Sequence, residues 1–351
     1  VTAAGGEDIY TSSVHSVLDI YNFRYNGTVD ITAFVEDCCC CVKDSTGYTI
    51  WNAGYRDGTC TDCLYGQAIK ENLAKPVSGG VYEVNRQMCL DMYHAQRQHV
   101  CNLGCIIAYE LASKIPGCKS YIADPVVVDE MEDVARISGS PLMPRVPVWH
   151  ALNQKAVGRR FARENGQHYE DLNLIICHLG GGISIAAHRK GRAVDANNGL
   201  DGEGPFSPER AGSLPPADLI RLCYSGKYTQ DELLKRIAGQ AGLKAHLGTT
   251  DVKQIINNIE AGDKTAELLI DAMIYQTAKC IAAEGAVFCG DVDAILITGG
   301  MAHSEYITSR LRRRISFLAP VHIYPGEDEM QALALNALAV LRGERAAQIY
   351  K

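Results

Sequence analysis

The sequence predicts an α/β protein of two domains, with mixed sheets flanked by helices. Three observations carry this. From about Val77 onward, short β-rich runs alternate with stretches whose apolar residues recur at helical spacing. In mid-chain, three β-rich pieces follow one another without a helix between them, which reads as a meander, and strands alternate with helices again after it. The chain has 351 residues, 47% of them hydrophobic and 21% charged, enough to build more than one core.

The first 76 residues are irregular and do not divide into elements. Beyond them "VYEVN" predicts a short strand, "RQMCLDMYHAQRQHVCNLGCIIAYELASKI" a helical stretch, and "CKSYIADPVVVDE" a β-rich run ending in acids. "HALNQKAVGRRFARENG" predicts an amphipathic helix closed by Gly166. The meander "LNLIICHLGGGISIAAHRKGRAVDAN" is divided at Gly182 and at the turn "RKGR". A loop rich in glycine, proline and charge follows ("NNGLDGEGPFSPERAGSLP"), then a helical stretch to about Ala283. The chain ends with the strand "VDAILITGG", a helix from about Ser304, the strand "VHIYPG" and a helix from Glu329.

Composition narrows the function classes. No run approaches the ~18 apolar residues of a membrane helix, and "VTAAGGEDIYTSS" lacks the basic-then-apolar pattern of a leader, so a cytoplasmic protein without a membrane partner is expected. The net charge is −7 and the one basic cluster, Arg310 to Arg314, reads as a solvated helix face, which argues against a nucleic-acid partner. Fourteen cysteines do not make a disulfide scaffold in a chain of this size. "CCCC" at Cys38 to Cys41, with Cys60 and Cys63, is not expected to hold metal: adjacent cysteines cannot easily aim four thiolates at one ion, and no second pair follows at zinc spacing.

The feature that most needs explaining is "HLGGG", three glycines interrupting an apolar hairpin. Such a run lets a ligand approach the backbone closely, and successive exposed amides make an anion site. A second glycine break, "ILITGGM", ends a hydrophobic strand ahead of a helix, where strand-end glycines admit nucleotides. Neither fits a P-loop or a dinucleotide fingerprint. Both are expected to share one site.

"HLGGGISIAAHRKGRAVDANNGLDGEGPFSPERAG", "YIADPVVVDEMEDVARISG", "HALNQKAVGRRFA" and "PGEDEMQALALNALAVLRGE" closely resemble the butyrate kinases, relatives of acetate kinase in the superfamily that also holds sugar kinases, heat-shock cognate and actin. The resemblance runs from about Val77 to Lys351. It implies two ribonuclease-H-like domains around a central cleft: residues 1–149, to which the C-terminal helix 329–351 returns, and residues 150–328, which carry the nucleotide loops. It further implies phosphoryl transfer between ATP or ADP and a short-chain carboxylate or its acyl phosphate, with Mg²⁺, by a homo-oligomer.

Residue by residue, the resemblance implies that Gly180, Gly181 and Gly182 meet the nucleotide phosphates with His178 near the transferred group. It makes Gly299, Gly300 and Met301 nucleotide contacts and, more loosely, Asp251 and Lys253. Arg210 stands in the place of a catalytic arginine, Asp124 and Glu329 match acids near the metal, and His150 matches a histidine associated with the transferred phosphoryl. General chemistry agrees: an always-charged planar fork suits phosphoryl oxygens, and carboxylates suit a divalent ion. Each residue also has a plain structural reading: Arg210 a loop salt bridge, Asp124 a turn residue before Pro125, His150 a helix-terminal polar residue, and His178 a hydrogen-bonded core histidine.

The pattern departs from the family ahead of Val77, where neither the first phosphate loop nor the "GRGG" arginine has a counterpart. Charge balance across a phosphate site predicts a strand and a glycine- and serine-rich turn there, facing "HLGGG". Kinases for other short-chain or branched acids, and a non-catalytic nucleotide-binding scaffold, remain open alternatives.

Overall fold

The structure, a computed structural model, describes residues 41–43, 49–51, 78–85, 88, 100–125, 128–327 and 329–349. The strand and turn predicted ahead of Val77 lie outside those residues, as do Cys38 to Cys40, Cys60 and Cys63. Two units divide the chain, Val1–Val127 with Leu333–Lys351, and Val128–Ala332. Among the described residues no helix is long and apolar enough to cross a membrane.

Elements are numbered in chain order among the described residues. In the first unit β1 (Cys41–Lys43) pairs antiparallel with β2 (Thr49–Trp51). A second sheet centres on β3 (Val81–Glu83), antiparallel to β4 (Tyr121–Ala123) and parallel to β10 (Gln348–Ile349). Helix α1 (Val100–Ser113) lies between β3 and β4 in sequence. Nothing in the sequence pattern had marked β10.

The second unit opens with the single turn α2 (Asp133–Arg136) and α3 (Ala151–Glu164). The meander forms as expected: β5 (Asn173–Leu179), β6 (Ile183–Arg189) and β7 (Arg192–Ala196), the last two joined through Lys190 and Gly191 in left-handed conformations (φ 50° and 83°). That geometry suits a tight hairpin. The predicted helical stretch resolves into five helices: α4 (Pro216–Cys223), α5 (Gln230–Ile237), α6 (Gly242–Leu247), α7 (Val252–Glu260) and α8 (Lys264–Glu284). Turns break it, such as that at Gly248, the left-handed C-cap of α6. Then come β8 (Ala294–Gly299), α9 (Glu305–Ile315) capped by Ser304, β9 (Val321–Pro325) and α10 (Glu329–Leu341), which runs across the division between the units.

These strands form one five-stranded sheet in the order β7-β6-β5-β8-β9, with β5, β8 and β9 parallel and the two hairpin strands antiparallel. Strand residues alternate between faces. Ile175, Cys177, Leu179, Ile183, Ile185, Ile295 and Ile297 point to one face and pack with Ile270, Ile274 and Ile281 of α8 and Leu311 of α9. Leu174, Ile176 and Leu296 point to the other and pack with Val157 and Phe161 of α3. A sheet covered on both sides explains why β5 reads as an unbroken apolar run.

Candidate functional site: two glycine loops and a histidine pair

The site grows from the ends of two neighbouring parallel strands. Register pairs His178 of β5 with Thr298 of β8, so the loop Gly180–Gly182 and the strand end at Gly299 emerge side by side. Gly299 has φ 92°, and a methyl group on it would lie 2.5 Å from the Leu179 carbonyl oxygen, so no side chain fits. At Gly180 the constraint is space rather than φ: a methyl would meet His178 Nε2 at 2.9 Å and Glu327 Oε1 at 3.4 Å. Nothing lies within 4 Å of the corresponding position on Gly300, while Met301 is buried.

The loop carrying Arg210 is tied to the first glycine loop by its backbone. The Gly181 carbonyl accepts from the Ser207 hydroxyl and, at 3.4 Å, from the Glu209 N–H, while the Arg210 N–H donates to Ser207 Oγ at 3.0 Å. The Arg210 side chain then lies along Gly182, where a methyl would be 3.8 Å from its Cγ. Its guanidinium makes a loose pair with Glu209, 3.4 Å from Nη2 to Oε1.

The face of the sheet turned to α3 supplies the histidines. His178, fully buried, has Nδ1 2.8 Å from Asn153 Oδ1. Its Nε2 is 3.1 Å from Glu327 Oε1, near enough for charge pairing but off the line of a good hydrogen bond. His150, at the N-cap of α3, does not cap the helix with its side chain; its ring stacks on His178 with centroids 3.7 Å apart and planes 9° from parallel. The nearby His178 ring holds Glu327 below the usual carboxylate range, opposed by partial burial and aided by the Gly300 N–H. Glu329, the first residue of α10, is pushed upward by burial and by Glu327.

Of the residues singled out in the sequence, Gly180 to Gly182, His150, His178, Arg210, Gly299 to Met301 and Glu329 converge here. Asp251 caps α7, its carboxylate accepting from the Gln254 N–H at 3.0 Å, and Lys253 is exposed on the first turn of that helix. Asp124 belongs to the first unit, where it closes the end of β4 with φ 39° and accepts from the Gly80 N–H at 2.7 Å. Asn153, Ser184, Ser207 and Glu327 went unread in the sequence. Asn153 and Gln154 carried a signal, as adjacent amides among the buried positions of an amphipathic helix. Glu327 stood two residues before Glu329 in "GEDEM".

Backbone amides at strand ends, an arginine held beside them, and two close carboxylates make a donor set suited to a phosphate chain with a divalent cation. Among the described residues no three acidic, histidine or cysteine side chains converge tightly enough to cage an ion. Magnesium, which keeps most of its waters and takes substrate oxygens, fits such a sparse set.

Comparison with known proteins places the chain. The acetokinase family pattern matches residues 148–322. A probable butyrate kinase of Bacteroides thetaiotaomicron is 67% identical over 279 residues, 80% of this chain and 79% of that one. Butyrate kinase 2 of Clostridium acetobutylicum is 51% identical over 280 residues, 80% and 78% of the two chains. Among solved structures, the acetate kinase of Porphyromonas gingivalis matches with a TM-score of 0.66 at 20% identity over 77% of each chain. A propionate kinase of Francisella tularensis gives 0.62 at 19% identity, covering 82% of this chain and 85% of that one. At such identities the likeness shows the fold alone, a mixed α/β architecture shared with these carboxylate kinases.

Proposed function

The chain belongs to the acetokinase family, and from that premise we propose that it is a carboxylate kinase acting on butyrate, transferring a phosphoryl group reversibly between ATP and butanoate to give butanoyl phosphate and ADP. Its similarity to proteins named butyrate kinase supports the acid. The observation that carries the reading is the convergence of the Gly180–Gly182 loop, Arg210 and the Gly299 strand end at the ends of parallel β5 and β8.

In this reading the Gly180–Gly182 loop and the Gly299–Gly300 strand end let nucleotide phosphates approach the backbone closely, and Met301 contributes to the nucleotide wall. Asp251 and Lys253 are nominated as outer nucleotide contacts. Arg210 sets its charge against the equatorial oxygens of the transferring phosphoryl, where an arginine favours the transition state over the ground state. His150 and His178 offer ring nitrogens beside it. Glu329 and Asp124 are nominated for Mg²⁺, which neutralises phosphate charge when bound. The same reading includes a homo-oligomer, which rests on resemblance alone, working in the cytoplasm.

Trapping the acyl phosphate as its hydroxamate, with ATP and butyrate, acetate or propionate in parallel, tests it. The expected result is efficient trapping with butyrate. Trapping with acetate alone would reassign the acid, and none with any acid would leave a nucleotide-binding scaffold.

A further inference from the structure

Behind the two histidines runs a buried polar chain that phosphate binding does not call for. Ser184 and His188 alternate with Ile183, Ile185 and Ala187 along β6, so they point away from the large core and towards α3. There they meet His150 and Gln154, neighbours on one helix face by their spacing. Ser184, His188 and Gln154 are all fully buried, and Tyr169 nearly so. Such groups persist in a core only when hydrogen-bonded. Here each is: Tyr169 Oη to His188 Nδ1 at 2.6 Å, His188 Nε2 to Gln154 Oε1 at 3.0 Å, Gln154 Nε2 to Ser184 Oγ at 2.8 Å, and Ser184 Oγ to His150 Nδ1 at 2.8 Å.

We infer that Ser184, Gln154 and His188 are positioning residues that fix the neutral His150 ring with its proton on Nε2. The direction of every bond follows from one acceptor. Gln154 Nε2 also lies 3.2 Å from the Ser184 carbonyl oxygen, which can only accept, so the amide nitrogen must face Ser184 and Oε1 must face His188. Oε1 in turn only accepts, so His188 carries its hydrogen on Nε2. Burial first, then the charges of Lys155 and Arg159, hold His188 well below its usual range, so the ring is neutral and its Nδ1 accepts from the Tyr169 hydroxyl. At the other end Ser184 Oγ receives the Gln154 N–H and, at 3.3 Å, the His150 backbone N–H. Both lone pairs are then engaged, and the hydroxyl hydrogen is directed to His150 Nδ1.

The His150 proton is thereby placed on Nε2, at the ring edge away from Ser184, as a donor. The stacked His178 ring is held by a different partner, Asn153 of α3, so each histidine has its own hydrogen-bond anchor, Ser184 of β6 for His150 and Asn153 for His178. What His150 does with that donor, offering it to a phosphoryl oxygen, rests on the carboxylate kinase reading. The tautomer itself belongs to the fold.

Two readouts keep these apart. In protein labelled with ¹⁵N-histidine, at a pH above the titration of the ring, the His150 nitrogen shifts are expected to report Nε2–H alone. Ser184→Ala should move them towards a mixture of tautomers, and Ser184→Thr, which keeps the hydroxyl, should restore them. In parallel, kcat for acyl phosphate formation should fall ~10-fold or more in Ser184→Ala with KM for the nucleotide within about twofold, and recover in Ser184→Thr. Nitrogen shifts that are mixed in the unaltered protein, or unchanged in Ser184→Ala, would overturn the inference. The expected tautomer in a protein without kinase activity would uphold the relay and sink the kinase reading instead.

Discussion

Arg210 is placed by its backbone, which leaves its charge uncommitted. Its N–H is held by the Ser207 hydroxyl, its carbonyl accepts the Ser207 N–H at 3.1 Å, and among the described residues its guanidinium pairs only loosely, with Glu209. A structural salt bridge would show the reverse. Arg210→Ala should therefore leave the loop folded and nucleotide KM little changed while lowering turnover by ~10³, the scale an arginine at a transferring phosphoryl supplies. Steady-state kinetics decides, and near-normal turnover would return Arg210 to a structural role. At this scale the sequence was legible where a residue's chemistry is unusual in its setting: glycines inside an apolar hairpin, an arginine in a loop rich in glycine, proline and charge. It was not legible for Glu327 or Ser207, whose roles come from contacts with residues far along the chain. Asp251 shows the converse, since a carboxylate ahead of an amphipathic run is a helix cap on local grounds alone, and it does cap α7.

Helix α3 is the element on which the site leans, and its sequence says so in retrospect. Eight of its residues are buried, among them Asn153, Gln154 and Lys155. Lys155 is satisfied by Glu130 Oε2 at 2.8 Å and the Gly191 carbonyl at 3.0 Å, which fastens the β6–β7 turn to the helix. The same helix carries Gly158 in its interior, where glycine costs ~1 kcal/mol relative to alanine. It is tolerated because a methyl there would stand 2.7 Å from Tyr169 Cε2 and 3.2 Å from Ile176 Cδ1. Gly158→Ala, ordinarily stabilising in a helix, should therefore lower the urea midpoint, corresponding to a loss of about 1–3 kcal/mol of stability, because the Tyr169 ring and β5 must shift. An unchanged or raised midpoint would mean the ring moves freely. Period and alternation made α3, the meander and β8 readable, since each buries a continuous pattern. The division of residues 216–284 into five helices was not readable, because short amphipathic helices joined by tight turns keep nearly the same apolar spacing as one long helix.

Across the molecule, readability followed the regularity of burial: the sheet of the second unit, covered on both faces, was plain in the sequence, β3 and β4 were read as a short strand and a β-rich run although each is only three residues long, and the two-residue β10 leaves too short a pattern to read. One whole-molecule property follows from a group the site does not use. Glu284, at the end of α8, lies in the field of Arg145, whose guanidinium already pairs with Asp195 and Glu203. The residue is partly exposed, yet its Oε2 is buried with no hydrogen-bond partner among the described residues. Burial, reinforced by Asp195, pushes its carboxyl up to about 8 from 4.5. Because the folded value is the higher one, the native chain holds a proton that the unfolded chain has already released between those two values. Stability from this group is therefore greatest below the lower value and is lost as pH rises towards the upper. Glu284→Gln keeps the neutral shape and has no proton to lose. Its advantage over the unaltered protein in urea denaturation should be near zero at acidic pH, grow through neutrality and level off above about pH 8, reaching about 1–3 kcal/mol. A difference independent of pH would show instead that the Arg145 cluster keeps Glu284 ionised throughout.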